Sequence, residues 1–136
     1  MGGVGHAADG ELTLVALDVT TSKFLALDAA NAAENKKATN VVILDVGDLV
    51  GITEFFVLVS TSNPRQLDTV SDEVHAVLKM GGRAPLRREG TTLDGWMVLD
   101  YGDVVVHVFT ETQRDHYDLE RLWADAPRVE VGAATA

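Results

Sequence analysis

With 136 residues, 46 % apolar and 24 % charged, the chain suits one domain whose core needs no disulfide or metal. Its 21 acidic and 11 basic side chains leave a net charge of −10, which argues against a free-standing nucleic-acid binder and favours a basic protein partner. The absence of cysteine removes disulfides, thiol nucleophiles and cysteine metal sites. No apolar run approaches the roughly 20 residues of a membrane helix, and no Lys or Arg precedes Lys23, the reverse of a signal or transit peptide. A cytoplasmic location is expected.

The first 22 residues form an N-terminal extension, Gly- and Ala-rich at its start and expected to be poorly ordered. Within it, ELTLVALDV fits a short strand or the start of a helix, and periodicity does not separate the two. Residues 22–38 are rich in Ala, Leu and Lys without Gly or Pro, and Thr21 or Ser22 can cap them, so a helix is expected. VVILDV at 41–46 and EFFVLVSTS at 54–62 read as strands covered on both faces, separated by the turn GDLVGIT. Asn63, Pro64 and Gln66 supply an N-cap, a first-turn proline and a capping box. The helix they open carries Leu67, Val70, Val74, Val77 and Leu78 on one stripe and stops at Gly81.

RAPLRREG at 83–90 is a basic strand or extended segment. WMVLDY and VVVHVF flank Gly102-Asp103, a hairpin signal. Thr110 and Gln113 form a second capping box, opening a helix to about Ala124 with Leu119, Leu122 and Trp123 turned inward. Pro127 ends it, and the tail at 131–136 is expected to fray. The element order predicts an α/β single domain, a mixed β-sheet flanked by helices, with no repeat and no linker.

Four constellations of side chains could carry function. His107 shares a strand face with Val105 and Phe109 but has neither a cysteine nor a G-x-S-x-G serine to activate, so a hydrogen-bonded packing role is favoured. His116 and Glu120, spaced i, i+4, suit two metal ligands, yet H-E-x-x-H is absent and a solvated helix face fits better; no metal or cofactor is expected. The strand-to-helix turn STSN at 60–63 can hold an anion, but no Asp-x-Asp pair follows it as two-metal nucleotidyl transfer requires. Trp96, Tyr101 and Trp123 are concentrated in a chain with 6 % aromatics, and serve equally well as core or as interface anchors.

The blocks N-K-K-A-x-N-V-V-I-L-D-V at 35–46, S-T-S-N-x-R-Q at 60–66, E-G at 89–90, W-M-V-L-D-Y-G-D-V-V-V-H-V-F at 96–109 and R-D-H-Y-D-L-E-R-L-W-A-D-A-P at 114–127 closely resemble the ribosomal silencing factor (Iojap) family. The resemblance spans about residues 23–130, departs at Glu54 and Pro64, and leaves the first twenty residues unmatched.

It implies a nucleotidyl transferase-like fold without the catalytic acids, and no enzymatic activity. It implies docking on ribosomal protein number fourteen of the large subunit, which blocks small-subunit joining and slows translation under nutrient limitation. A large-subunit biogenesis role is the alternative, and a nucleotide-binding relic enzyme a further one. Partner binding is expected at Trp96, Asp100, Tyr101 and Gly102, where hairpin side chains leave the core. Glu89, Gly90, His107, Tyr117, Leu119, Glu120, Leu122 and Trp123 are expected to build the domain. The apolar strands also point to a homodimer; neither a membrane nor DNA is an expected partner.

Overall fold

A computed structural model describes residues 3–131, with side chains from Val19 onward. In chain order the elements are helix α1 (Gly3–Asn35), strand β1 (Thr39–Asp45), helix α2 (Gly47–Val50), strand β2 (Phe55–Thr61) and helix α3 (Pro64–Met80). Strands β3 (Arg87–Thr91), β4 (Trp96–Asp100) and β5 (Val104–Thr110) follow, then helices α4 (Glu111–Tyr117) and α5 (Leu119–Leu122) and strand β6 (Arg128–Val129). The six strands form one mixed sheet in the order β3-β4-β5-β2-β1-β6. Only the central β2–β5 pair is parallel, and α3 lies in the crossover between them, as a parallel pair requires.

α1 and α3 cover one face. Ala26, Ala29, Ala30 and Ala33 are buried at helical spacing on α1, and their small side chains let the helix approach the sheet closely. The stripe expected on α3 is realised: Leu67, Val70, Val74 and Leu78 are buried against Val57, Val59, Val104, Val106 and Val108. Each such aliphatic contributes ~1.5–3 kcal/mol of burial. The cap of α3 also forms, with Asn63 Oδ1 accepting from Gln66 N at 2.8 Å. Gln66 Oε1 completes it by accepting from Ser62 N, one residue earlier than a standard capping box.

Three local expectations are corrected. Because α1 starts at Gly3 and runs through ELTLVALDV, which takes the helical of its two open alternatives, Thr21 and Ser22 lie inside the helix and do not cap it; Ser22 is buried and donates to Asp103 at 2.6 Å. The Thr110–Gln113 box does not form, because Gln113 Nε2 donates instead to the carbonyl of Asp94 in the β3–β4 turn. The last helix breaks at Asp118, which takes the left-handed conformation (φ 47°) that Asp tolerates better than most residues. The break turns Leu122 outward, 69 % exposed, while Trp123 stays against the sheet. Strand β6, on the far edge beside β1, is too short to announce itself in the sequence. The expected frayed tail lies, beyond residue 131, outside the described residues.

Candidate functional site

The second sheet face is only partly roofed, by α4, α5 and the segment leading to β6. Strand alternation and register place three cross-strand rows there. They are Trp96–Phe109–Ser60, Val98–His107–Leu58, and Arg87–Asp100–Val105–Phe56. Leu58 and Phe109 are fully buried beneath the roof, whereas Val98, Asp100 and Val105 are half-buried and Arg87 is exposed.

Trp96 and His107 organise this face. The indole stacks on Phe109 with centroids 5.0 Å apart, touches Tyr117 at 4.4 Å, and donates Nε1–H to His107 Nδ1 at 3.1 Å. His107 is buried, meets Phe56 edge-on at 5.1 Å, and has no hydrogen-bond partner for Nε2 among the described residues. Burial pushes its pKa down to about 4, against a smaller opposing pull from Asp100. It is therefore neutral at pH 7, with the proton on Nε2 because Nδ1 accepts. The ring is thus packed between Trp96 and Phe56 with one nitrogen hydrogen-bonded. No carboxylate is hydrogen-bonded to it among the described residues; Glu120, the acid of the following helix, is engaged by Arg114.

Two shallow concavities flank the pair. One, of about 450 Å³, is lined by Glu89, Gly90, Leu93, Trp96, Val98 and Tyr117 among others. The other, of about 410 Å³ and mainly apolar, is lined by Ile52, Phe56, Leu86, Asp100, Val105 and His107 among others. Ile52 is 86 % exposed and Leu86 74 %. Exposed apolar side chains grouped on one face in this way make it a candidate interaction surface. Glu89, Asp94 and Asp100 put carboxylates at its margins, with Arg87 the opposing charge.

The residues expected to bind a partner divide. Trp96 and Asp100 lie on this face. Tyr101 does not: it is 3 % exposed and packs in the core beneath α1 and α3. Odd spacing from Trp96 sends it to the opposite face, so the expectation that its side chain leaves the core is corrected. Burial raises its hydroxyl pKa to about 12, against smaller opposing pulls from Arg88 and Arg83. Gly102 supplies the turn, with φ +87°, and its N–H is accepted by Asp100 Oδ1 at 2.8 Å.

Asp103, which the sequence reading passed over as half of a turn signal, ties three elements together. It pairs with Arg83, accepts from Ser22 of α1, and its carbonyl accepts from Glu54 N at 2.8 Å. Burial alone would raise its pKa; hydrogen bonds from Arg83 and Ser22, with the Arg83 charge, outweigh that and hold it below the usual carboxylate range.

Among the residues expected to build the domain, Gly90 has φ +94°, and a Cβ there would sit 2.0 Å from the Trp96 carbonyl oxygen. Only glycine fits. Glu120 accepts from Arg114 Nε and Nη2 at 2.9 and 3.0 Å, and Arg114 Nη1 donates to Ser60 Oγ at 2.9 Å. Arg114 holds the Glu120 carboxyl below its usual range. Because Asp118 breaks the helix and Glu120 is engaged, His116 and Glu120 do not share one helix face. Leu119 and Trp123 pack on the sheet, Trp123 edge-on to Phe56 at 5.8 Å, whereas Glu89 and Tyr117 are exposed at the surface, as is Leu122. Among the described residues no three His, Asp or Glu side chains are grouped as metal ligands, and no helix is long and apolar enough to cross a membrane.

The family model described as "Ribosomal silencing factor during starvation" matches residues 19–136. The ribosomal silencing factor RsfS of Halalkalibacterium halodurans is 39 % identical over 103 residues, covering 76 % of this chain and 88 % of that protein. A crystal structure of a Chromobacterium violaceum protein superposes with a TM-score of 0.72 at 30 % identity, covering 75 % of this chain and 85 % of that one. A more distant relative, "Mitochondrial assembly of ribosomal large subunit protein 1" of Mus musculus, is 27 % identical over 123 residues, 86 % of this chain and 53 % of that protein. The chain belongs to the ribosomal silencing factor family.

Proposed function

We propose that the chain represses translation by docking the open face of its sheet on a basic protein of the large ribosomal subunit. The partner proposed is ribosomal protein number fourteen, the one the sequence resemblance implies. Bound there, the domain occupies space that the small subunit needs, and subunit joining stops, most usefully when nutrients are scarce. The observation that carries this reading is the partly roofed face around Trp96 and His107, with Ile52 and Leu86 exposed and carboxylates at its margins. Aromatic and aliphatic anchors inside an acid-bearing margin suit a basic protein surface, in a chain of net charge −10. Repression of this kind is steric and uses no turnover.

The test is sedimentation through sucrose gradients of large subunits with the purified protein, with and without small subunits. Co-sedimentation with large subunits and loss of the joined ribosome peak supports the reading. Co-sedimentation with joined ribosomes, or with neither subunit, overturns it. The name of the mouse relative favours assembly of the large subunit as the second reading. Association with immature particles, without effect on joining, would select it. Light scattering separates a second copy of the chain as the occupant of the face, and a rise in melting temperature with nucleotide and magnesium would point instead to a relic enzyme.

A further inference from the structure

We infer that a basic concavity between the end of α1 and the start of α3 is a second contact, for the phosphate backbone of large-subunit RNA. The inference rests on the docking reading, which brings the chain onto a particle rich in RNA. Lys36, Lys37 and Arg65 line one polar depression of about 500 Å³ together with Ser62, Asn63 and Gln66. None of the three cations joins any of the ion pairs formed among the described residues, which use Arg83, Arg88 and Arg114. The acids nearest in sequence, Glu34 and Asp68, do not line the depression. Asp68 instead accepts from Thr92. In a chain with ten excess negative charges, three uncompensated cations around one hollow form a local reversal of field.

The hollow is built rather than incidental. Gln66 Nε2 donates to the carbonyls of Lys36 and Lys37 at 3.1 and 3.0 Å, fastening the turn after α1 to the first turn of α3. Lys37 is held there in the left-handed region at φ 68°. The Ser62 and Thr69 donors are engaged within the fold: Ser62 N and Oγ donate to Gln66, and Thr69 donates to the Arg65 carbonyl. What the hollow offers a ligand is chiefly the ammonium and guanidinium donors of Lys36, Lys37 and Arg65, whose charge-assisted hydrogen bonds suit phosphate oxygens and carry no sequence readout. The hollow follows the C-terminal end of β2, while the Ile52–Leu86 groove lies by its N-terminal end. A seven-residue strand separates them by roughly 20 Å. Protein and RNA can thus be engaged at once by opposite ends of one domain.

The experiment compares the salt dependence of large-subunit binding for three proteins. They are the wild type, Lys36→Gln/Lys37→Gln/Arg65→Gln, and a control of identical net charge, Lys23→Gln/Lys79→Gln/Arg121→Gln, whose positions lie off the hollow. Each lost phosphate contact lowers the slope of log Kd against log salt by ~0.7–0.9, so the hollow variant should lose about 2 from the slope and bind at least tenfold more weakly. The control should keep the wild-type slope, and all three should bind the isolated basic ribosomal protein equally. Equal slopes for hollow variant and control overturn the inference. So does an equal loss of affinity for the isolated protein, which would make the hollow a protein contact, or displacement by millimolar inorganic phosphate at constant ionic strength, which would make it a small-anion site. Wild type that fails to bind large subunits overturns the docking reading and this inference together.

Discussion

Trp96 donates its indole N–H to Nδ1 of His107 at 3.1 Å, across the β4–β5 strand pair and inside the candidate docking face. The bond does two things. It selects the neutral tautomer of a buried imidazole, and it pins the largest aromatic surface of the face in one orientation. Trp96 is therefore a scaffold residue as well as the proposed anchor, and Trp96→Ala should lower stability and partner affinity together.

The buried His107 makes stability depend on pH. Its folded-state pKa of about 4 lies below the unfolded value near 6.5. Between these values the unfolded chain binds the extra proton, so the contribution is fully present above pH 6.5 and is lost as pH falls toward 4. Wild type should lose about 2 kcal/mol more than His107→Gln on going from pH 7 to pH 5. Urea denaturation of both proteins at the two pH values measures the difference; parallel losses would show that the imidazole titrates normally.

Docking and folding are best separated at Ile52, which is 86 % exposed at the groove. Ile52→Glu should change unfolding stability by no more than ~0.5 kcal/mol. It should weaken large-subunit binding by ~1–3 kcal/mol through a carboxylate placed in an apolar contact. Co-sedimentation at graded protein concentrations reads this, and wild-type binding would move the docking surface elsewhere.

Tyr101 supplies an opposite pair. Its ring is buried, but its hydroxyl has no hydrogen-bond partner among the described residues. Tyr101→Phe should therefore be neutral or stabilising by up to ~1 kcal/mol, while Tyr101→Ala should cost ~3–5 kcal/mol through the cavity left behind. Thermal melts of the two variants decide it. A large loss in the Phe variant would mean that the hydroxyl is satisfied in solution.

The two ion pairs of Arg114 and Arg88 should differ sharply. Arg114 is buried, so Glu120→Ala strands its charge and should cost ~3–5 kcal/mol. Asp72 is exposed, and Asp72→Ala, which breaks the pair with Arg88, should cost ~0–1 kcal/mol. Chemical denaturation ranks them, and similar costs would refute the burial argument.

Gly90→Ala tests backbone geometry alone. The new Cβ would meet the Trp96 carbonyl oxygen at 2.0 Å with φ at +94°, so strands β3 and β4 must separate. A loss above ~3 kcal/mol is expected by denaturant titration. A mild effect would show that the strand edge yields freely.

Much of the architecture was legible in the sequence because the patterns involved are local. Period-two and continuous apolar runs announced β1, β2, β4 and β5. Asn63, Pro64 and Gln66 announced the start of α3, and Gly102-Asp103 the hairpin turn, since caps and turns depend on residues a few positions apart. The alternation that sends Tyr101 to the face opposite Trp96 is also a local, sequence-level feature. The rest is set by contacts between residues distant in the chain. Gln113 leaves its own helix cap for the Asp94 carbonyl, Arg114 spans the break at Asp118 to reach both Glu120 and Ser60, and Asp103 binds Ser22 81 residues away. The hollow around Lys36, Lys37 and Arg65 likewise exists only because Gln66 joins two helix ends. Local propensities are weak beside a satisfied buried charge or a packed ring, so tertiary structure decides those choices.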